Sequence, residues 1–261
     1  MLRPFLTVAL LVATAMPYTA VAQEASPGGQ KLYVATFRVL PADAARYEAT
    51  TEKLVAAAQE INLDAGYGWT YWNDVFDYSL VYPFENMAYW DDPEQWARQF
   101  QGTPVEASVN ELFAEFGSIT SEATALEVLE TVPNLSYLLE EATSSEQPAF
   151  IEVADIWIKS GKEMEWDALA QEYAALLAEI EYPYPTIGYR VMFGGAGRMV
   201  YVTLYDSREA FFGTNSFDRL IEAKGQTAAW SDLMEKYVAM AVRQEDRHAI
   251  AKPNMGYRVI P

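Results

Sequence analysis

Cysteine is absent from the 261 residues, and histidine occurs once, as His248. The first absence excludes thiolate nucleophiles, iron–sulfur clusters, disulfides and a lipid-modified N-terminal cysteine. The second excludes multi-histidine metal sites and leaves His248 as the sole imidazole through which a Ser-His-acid triad could run. Basic residues are scarce as well: 18 Lys and Arg stand against 37 Asp and Glu, for a formal net charge of −19. No basic cluster stands out that could neutralise a phosphate backbone, so nucleic acid is not an expected partner. There is no Gly-x-Ser-x-Gly elbow. Beyond the N-terminus no run of about 18 apolar residues occurs, so nothing there reads as a membrane span. What is present is 51% apolar and 14% aromatic residues, enough for one large or two ordinary globular domains.

Met1 to Ala22 carries one basic residue, Arg3, then an apolar run from Phe5 to Met16, then Pro17 and Ala20-Val21-Ala22 ahead of Gln23. That is the three-part pattern of a cleaved secretory signal. The expectation is a signal peptide over 1–22, a flexible leader over Gln23 to Gln30, and a periplasmic or secreted mature protein with no membrane association after cleavage.

The mature chain reads as one unit written twice. Val34 to Val39 matches Val153 to Ile158, Tyr47 pairs with Trp166, and Glu60-Ile61 with Glu179-Ile180. One inserted residue then aligns Gly68 with Gly188, Trp69 with Tyr189, Thr70 with Arg190 and Trp72 with Met192. A second aligns Leu80 with Tyr201, Leu112 with Leu233 and Phe116 with Tyr237. Pro133-Asn134-Leu135-Ser136-Tyr137 is echoed by Pro253-Asn254-Met255-Gly256-Tyr257. Polar Leu138 to Pro148 suits a linker. The expected domains are therefore 31–137 and 149–261, joined by 138–148.

Periodicity assigns the elements. Trp166, Leu169, Tyr173, Leu176, Leu177 and Ile180 form one apolar helix face; Val109, Leu112, Phe113 and Phe116 form another, matched by Trp230, Leu233, Met234 and Tyr237. Short β-rich runs cover Tyr33 to Leu40, Gly68 to Phe76, Tyr78 to Phe84 and Leu126 to Val132, and Asn86 and Ser207 suit helix N-caps. The unit is then β-α-β-β-α-α-β, an α+β ferredoxin-like repeat with helices on one face of an antiparallel sheet. Alternation along the strands predicts an aliphatic helix-facing set of Phe37, Val39, Val81, Ala154, Ile156, Ile158, Val200, Val202 and Leu204. It predicts an opposite face with Thr36, Arg38, Trp69, Tyr71, Asn73, Tyr78, Leu80, Tyr82, Asp155, Trp157, Tyr189, Met199, Tyr201 and Thr203. A ring-rich surface of that kind calls for a cover or a ligand, and the simplest cover is the matching face of the other repeat.

Tandem ferredoxin-like repeats closing into a pseudo-twofold α+β barrel resemble the dimeric α+β barrel superfamily. Within it the chain is similar to the NIPSNAP and antibiotic-biosynthesis-monooxygenase-like (ABM-like) groups. The resemblance implies small-molecule binding in the cleft between sheet and helices, in some members with cofactor-free oxygen chemistry. For haem-binding members such as the chlorite-dismutase-like proteins it implies an axial His on a helix, and for haem-degrading members Asn, Trp and a helical His. No expected helix here carries a His, so no cofactor and no metal are expected.

Candidate ligand-binding residues are Arg190, Tyr189, Tyr201, Thr70, Trp72, Trp69 and Tyr71. Arg190 alternates onto the helix-facing side, where it would either orient an anionic ligand or pair with a helix carboxylate such as Glu172 or Glu179. Tyr71, Tyr82, Tyr189 and Tyr201 would either bond an aromatic substrate, with Trp69 and Trp157 stacking on it, or fill a core between the repeats. His248 suits a hydrogen-bonded strand or rim position better than a lone metal ligand. Asp91-Asp92-Pro93-Glu94 reads as a helix start. Gly194-Gly195-Ala196-Gly197 reads as a hairpin turn, and the repeated Pro-Asn motif as a turn that pins a tail. The leading expectation is an exported small-molecule-binding protein that requires no metal. The alternatives are a cofactor-independent monooxygenase or isomerase-like enzyme, with Arg190 as electrostatic stabiliser and Tyr189 or Tyr201 as acid, and a purely structural or interaction module. If the N-terminal reading is right, N-terminal sequencing of protein recovered from its own cells returns Gln23 as the first residue; an N-terminus at Met1 refutes cleavage.

Overall fold

The computed structural model describes residues 29–63, 67–84, 95–119, 121–139, 147–194, 197–213 and 216–258. The signal peptide expected over 1–22, the expected cap Asn86, Asp91 to Glu94, Gly195-Ala196 and most of the expected 138–148 linker lie outside the described residues. Among those described, no helix is long and apolar enough to cross a membrane.

The elements follow in the order β1 (Lys31–Val39), α1 (Ala44–Glu60), β2 (Tyr67–Trp72), β3 (Asp77–Phe84), α2 (Gln95–Arg98), α3 (Glu106–Ser118) and β4 (Ser121–Thr131). Then come β5 (Phe150–Ile158), α4 (Glu163–Glu179), β6 (Thr186–Phe193), β7 (Arg198–Tyr205), α5 (Arg208–Phe211), α6 (Phe217–Ala223), α7 (Thr227–Met240), β8 (Ala241–Ala251) and β9 (Tyr257–Arg258). The β-α-β-β-α-α-β order holds in the first half, and the second adds one short helix. Ser207 caps α5 as expected, its side chain accepting from the Ala210 amide at 3.1 Å. β6 and β7 are antiparallel neighbours, and Gly194 and Gly197 in their hairpin have φ of 100° and 68°, a region where a Cβ is penalised.

Two compact units form. Unit 1 comprises Gln30–Leu126 with Lys252–Pro261, and unit 2 comprises Glu127–Ala251. They do not follow the 31–137 and 149–261 boundaries, because the end of each repeat is hydrogen-bonded to an edge strand of the unit it joins. In unit 1 the strands lie in the order β4-β1-β3-β2, with β9 beside β2. In unit 2 the order is β8-β5-β7-β6, with residues 128–131 of β4 beside β6. Both are the antiparallel 4-1-3-2 order of a ferredoxin-like sheet, which local hairpins and α-crossovers generate.

The tails use matching hydrogen bonds. In unit 1 the amide of Lys252 donates to Thr70 O at 2.8 Å, and Thr70 Oγ1 donates to Met255 O at 2.8 Å. In unit 2 the amide of Val132 donates to Gly188 O at 2.8 Å, and the Gly188 amide donates to Ser136 Oγ at 3.0 Å. Pro133–Leu135 and Pro253–Met255 are both 3₁₀ turns, so the repeated Pro-Asn motif ends a strand and ties the chain down.

Register corrects the expected faces. Residues directly opposite in an antiparallel pair share a face. Phe37 lies opposite Tyr78, Ala35 opposite Leu80 and Tyr33 opposite Tyr82; Ala154 lies opposite Tyr201 and Ile156 opposite Met199. Tyr78, Leu80, Tyr82, Met199, Tyr201 and Thr203 therefore stand on the helix-facing side, not on the far face. Val81, Val200, Val202 and Leu204 take the far face instead. Splitting each strand by alternation could not link the parity of one strand to that of its neighbour. The unit 2 core joins Ile156, Met199 and Tyr201 to Trp166, Leu169 and Leu177 of α4 and Leu233 of α7.

Pairing also shifts the internal alignment of the second strand. Thr70 lies opposite Leu80 and Trp72 opposite Tyr78, whereas Gly188 lies opposite Tyr201 and Arg190 opposite Met199. With Leu80 matched to Tyr201, Thr70 occupies the place of Gly188 and Trp72 that of Arg190; the extra residues of the second copy all fall in its hairpin. A Cβ at Gly188 would stand 2.7 Å from Leu135 O and 3.2 Å from the Tyr201 ring, while one at Gly68 meets nothing within 4 Å. Gly188→Ala should destabilise the protein by about 1–3 kcal/mol through overpacking against backbone. Gly68→Ala should stay within about 0.5 kcal/mol of the parent. Urea denaturation of both variants checks the contrast.

Candidate functional site

The seven residues singled out from sequence lie on two sheet faces and in two units. Thr70 and Trp72 are on the helix-facing side of unit 1, and Arg190 and Tyr201 on that of unit 2; Trp69, Tyr71 and Tyr189 are on the far faces. Thr70 is buried against the tail. Tyr201 is buried and accepts a hydrogen bond from Trp166 Nε1 at 3.0 Å. Arg190 does face the helices, but its side chain is 52% exposed and reaches Asp167 at 3.4 Å. Glu172 and Glu179, the expected partners, are occupied by Lys236 and Gln226. Arg190 and Tyr201 thus belong to a rim ion pair and a core hydrogen bond, and Tyr189 stands on the opposite side of the sheet from Tyr201.

The helix-facing side of unit 2 gathers a different set. Glu152 of β5 lies opposite Thr203 of β7 and opposite His248 of β8. Its Oε2 accepts from the Tyr205 hydroxyl at 3.0 Å, and Tyr182, just beyond α4, lies 3.0 Å from the Tyr205 oxygen. Since the one hydroxyl proton of Tyr205 is engaged by the carboxylate, Tyr182 is the donor to Tyr205. Glu152 Oε1 faces His248 Nε2 at 3.7 Å, beyond a direct hydrogen bond, and accepts no hydrogen bond among the described residues.

Rings surround these groups. The His248 ring is stacked on Phe150, with centroids 5.7 Å apart and an interplanar angle of 15°, and it meets Phe211 edge-on at 4.7 Å. Tyr205 packs on Tyr184 at 4.6 Å and on Phe211 at 5.4 Å. Desolvation among them raises the Glu152 carboxyl above its ordinary value, outweighing the opposing pull of the Tyr205 hydroxyl and of His248. Burial pushes the Tyr182 hydroxyl up to about 12 and raises that of Tyr205 strongly. The arrangement is a carboxyl poised to hold or release a proton, backed by two phenols that stay protonated, with one oxygen open beside the imidazole.

Sequence reasoning missed Glu152, Tyr182 and Tyr205. The available signal was a carboxylate two residues inside a largely apolar strand, on the same alternation as Ala154 and Ile156. A second missed group lies on the far face of unit 2. There Arg198 reaches Glu127 at 2.5 Å and Asp155 at 3.4 Å, Arg247 reaches Asp155 at 2.6 Å, and Arg243 stacks over Trp157. The side chains of Glu127, Asp155 and Arg198 are at most 10% exposed and that of Arg247 is partly exposed, and the two carboxylates balance the two guanidiniums, with Asp155 shared between them. Among the described residues no group of three or more His, Cys, Asp or Glu is placed to hold a metal ion.

No family model matches the chain, and no curated protein matches it. Solved structures do. A protein assigned as a monooxygenase from Lactobacillus acidophilus NCFM is 11% identical with a TM-score of 0.51, over 88% of this chain and 96% of that one. A variant of chlorite dismutase from Candidatus Nitrospira defluvii is 14% identical with a TM-score of 0.52, over 88% and 93%. An anthrone oxidase-like protein is 12% identical with a TM-score of 0.51, over 86% and 92%. The chain shares the mixed α+β fold of these neighbours, which are dimeric α+β barrel proteins. At such identities the likeness carries the fold alone. An axial haem ligand on a helix does not fit this chain: its one His is on β8, stacked on Phe150 and turned to Glu152.

The raised Glu152 carboxyl gives a signed expectation. In the unfolded chain the group ionises near 4.5, its ordinary value, and in the fold at a higher pH. Its contribution to stability is therefore complete below the ordinary value and is lost as pH rises through the raised one. Glu152→Gln cannot ionise, so its stability relative to the parent should increase with pH across that window. Urea midpoints measured from pH 4 to 7 check this; parallel curves would refute it.

Proposed function

We propose that the chain is an enzyme of the cofactor-independent monooxygenase or isomerase kind, acting by proton transfer on a small aromatic molecule at Glu152 in unit 2. The observation that carries the reading is a half-buried carboxyl of raised proton affinity, fixed on one oxygen by Tyr205 and open on the other beside His248. Fold neighbours assigned as a monooxygenase and as anthrone oxidase-like support it at the level of fold.

In this reading ionised Glu152 removes an acidic C–H or O–H proton from a substrate lying against the Phe150, Tyr184 and Phe211 rings. Tyr205 holds the carboxylate in place, and Tyr182 holds Tyr205. The protonated carboxyl is neutral and therefore suited to its apolar surroundings, which favours proton uptake. His248, 43% exposed at the side chain, faces Glu152 at 3.7 Å and in this reading passes the proton out. The resulting carbanion or phenolate is reprotonated at another atom in an isomerisation. In an oxygenation it is oxidised by dioxygen, one oxygen atom entering the product and the other leaving as water.

The ring-rich side of the sheet and the candidate residues Tyr201 and Arg190 serve packing in this proposal rather than chemistry. Export, with a periplasmic or secreted location, is proposed from Met1 to Ala22 alone, and closure of the two repeats into a barrel from the fold neighbours.

The test uses anthrone in air-saturated buffer, following dioxygen uptake and, under argon, exchange of the acidic C–H protons for deuterium. The wild-type chain should accelerate both. Glu152→Gln should lower each rate by about 100-fold or more, the usual scale for a general base, with binding of substrate retained. Binding without any acceleration of exchange would instead make the protein a carrier of such molecules.

A further inference from the structure

In unit 2 the repeated Pro-Asn motif reaches the Glu152 group. Its last residue, Tyr137, bridges to Thr186 at the start of β6, with backbone hydrogen bonds of 2.7 and 2.8 Å in the two directions. From there the Tyr137 hydroxyl donates to the carbonyl oxygen of Tyr182 at 2.8 Å. Tyr182 is the residue whose own hydroxyl donates to Tyr205, and Tyr205 donates to Glu152, each at 3.0 Å. The run passes from the tail into the backbone of Tyr182 and out along its side chain to the carboxyl.

The end of α4 gives a physical reason for a clamp at this point. The last carbonyls of a helix have no partner within it. Glu181 then turns the chain out with φ of 52°, a left-handed conformation that costs energy in a residue with a Cβ. The Tyr182 amide closes back on Leu177 O at 2.9 Å, which fixes the peptide before its Cα; the Tyr137 hydroxyl fixes the peptide after it. The Tyr182 side chain is buried against Tyr184 and Phe217, with centroids 5.5 and 6.0 Å away. Its hydroxyl is therefore aimed at Tyr205 by a backbone held on both sides.

Unit 1 has the same clamp without the relay. Asn62 leaves α1 with φ of 48°, the Leu63 amide closes on Ala58 O at 3.0 Å, and Tyr257 of the second motif donates its hydroxyl to Leu63 O. Leu63 stands where Tyr182 stands in the second copy, so this clamp ends in an aliphatic side chain, and Tyr33 takes the place of Glu152. The clamp itself belongs to the fold. In unit 2 it is continued to a carboxyl.

We propose that Tyr137 is a positioning residue for Glu152: by holding the Tyr182 backbone it keeps the Tyr182 hydroxyl on Tyr205, and so keeps the Tyr205 hydroxyl on the carboxyl. The proposal rests on the reading of Glu152 as the acid–base group. The titratable groups facing Glu152 are His248 and Asp246 of β8, Tyr205 of β7, and Tyr173 and Tyr182 from α4 and its end. Of these only Tyr182 is hydrogen-bonded to Tyr137. The Tyr205 hydroxyl lowers the proton affinity of Glu152, because it bonds the charged form. A loosened relay therefore raises the carboxyl further above its ordinary value.

Carbon-13 NMR of the full chain follows the Glu152 carboxyl as pH is varied, with Glu152→Gln identifying its resonance. Tyr137→Phe keeps the ring and loses the donor; its Glu152 midpoint should rise, in the direction of Tyr205→Phe and by less. Tyr182→Phe cuts the next link and should raise the midpoint too. In that background Tyr137→Phe should shift it no further, since the relay is already broken. Tyr257→Phe removes the matching clamp from unit 1 and should leave the midpoint unchanged, whatever it costs in stability. With anthrone under argon, Tyr137→Phe should lower kcat for proton exchange about fivefold with KM retained, the scale of one hydrogen bond. An unmoved midpoint in Tyr137→Phe, an equal shift in Tyr257→Phe, or a further shift in the Tyr182→Phe background would each overturn the proposal. A wild-type chain that shows the expected shifts but no exchange would overturn the proton-transfer reading alone.

Discussion

Strand register is the constraint on which the rest depends. Each sheet buries one face under helices, and a displacement of one residue in either hairpin would exchange the two faces along an entire strand. The observed pairing of Ala154 with Tyr201 and Glu152 with Thr203 and His248 is what sends the carboxylate and the imidazole to the same side as Tyr205. The same rule sends Tyr78 and Trp72 towards α1, where Glu48 and Tyr47 await them. The grouping around Glu152 is therefore a consequence of hairpin geometry.

Duplication explains how two halves of different character arise on one plan. At the position of Glu152 the first half has Tyr33, and at that of Tyr205 it has Phe84. Tyr33 meets Tyr82 ring to ring at 5.1 Å, so the place of the acid–base group is filled by aromatic packing. Conversely, the position where Trp166 donates to Tyr201 in the second half holds Tyr47 and Leu80 in the first. Once two copies share one chain, each can lose what the other keeps, and the polar groups left behind mark where they diverged.

Much of the architecture was legible because it is written in spacing. The apolar stripe from Trp166 to Ile180 recurs every three or four residues, and helix α4 buries Trp166, Leu169, Leu176 and Leu177 as that spacing requires. The repeat itself was visible because helices and the first strand tolerate few insertions. The site was not legible for a physical reason. Alternation gives the parity of each strand but not the pairing between strands, so Tyr78 and Tyr201 were sent to the wrong face while Phe37 and Ile156 were placed correctly. The match of Thr70 to Arg190 failed likewise, since the insertion in the second copy is absorbed by a solvent-facing hairpin where sequence leaves little trace. Arg190 was rightly sent to the helix-facing side, yet a strand's end is a rim, and there the guanidinium finds Asp167 and water together.

The confinement of the acid–base group to unit 2 follows from what each half can keep ionisable in an apolar setting. A carboxyl beneath helices must either be paired with a cation or keep its proton. Glu48 takes the first course with Lys252, and Asp167 takes it with Arg190. Glu152 has His248 at 3.7 Å and the hydroxyl of Tyr205, while burial and the charge of Asp246 raise its affinity for a proton. A carboxyl locked to a lysine is already engaged by a cation, whereas one held by a phenol, with an exposed imidazole nearby, keeps an oxygen for a substrate proton. That difference in pairing, together with the burial that raises its carboxyl, separates Glu152 from Glu48 and Asp167 and makes it the group on which the proposed proton transfer would turn.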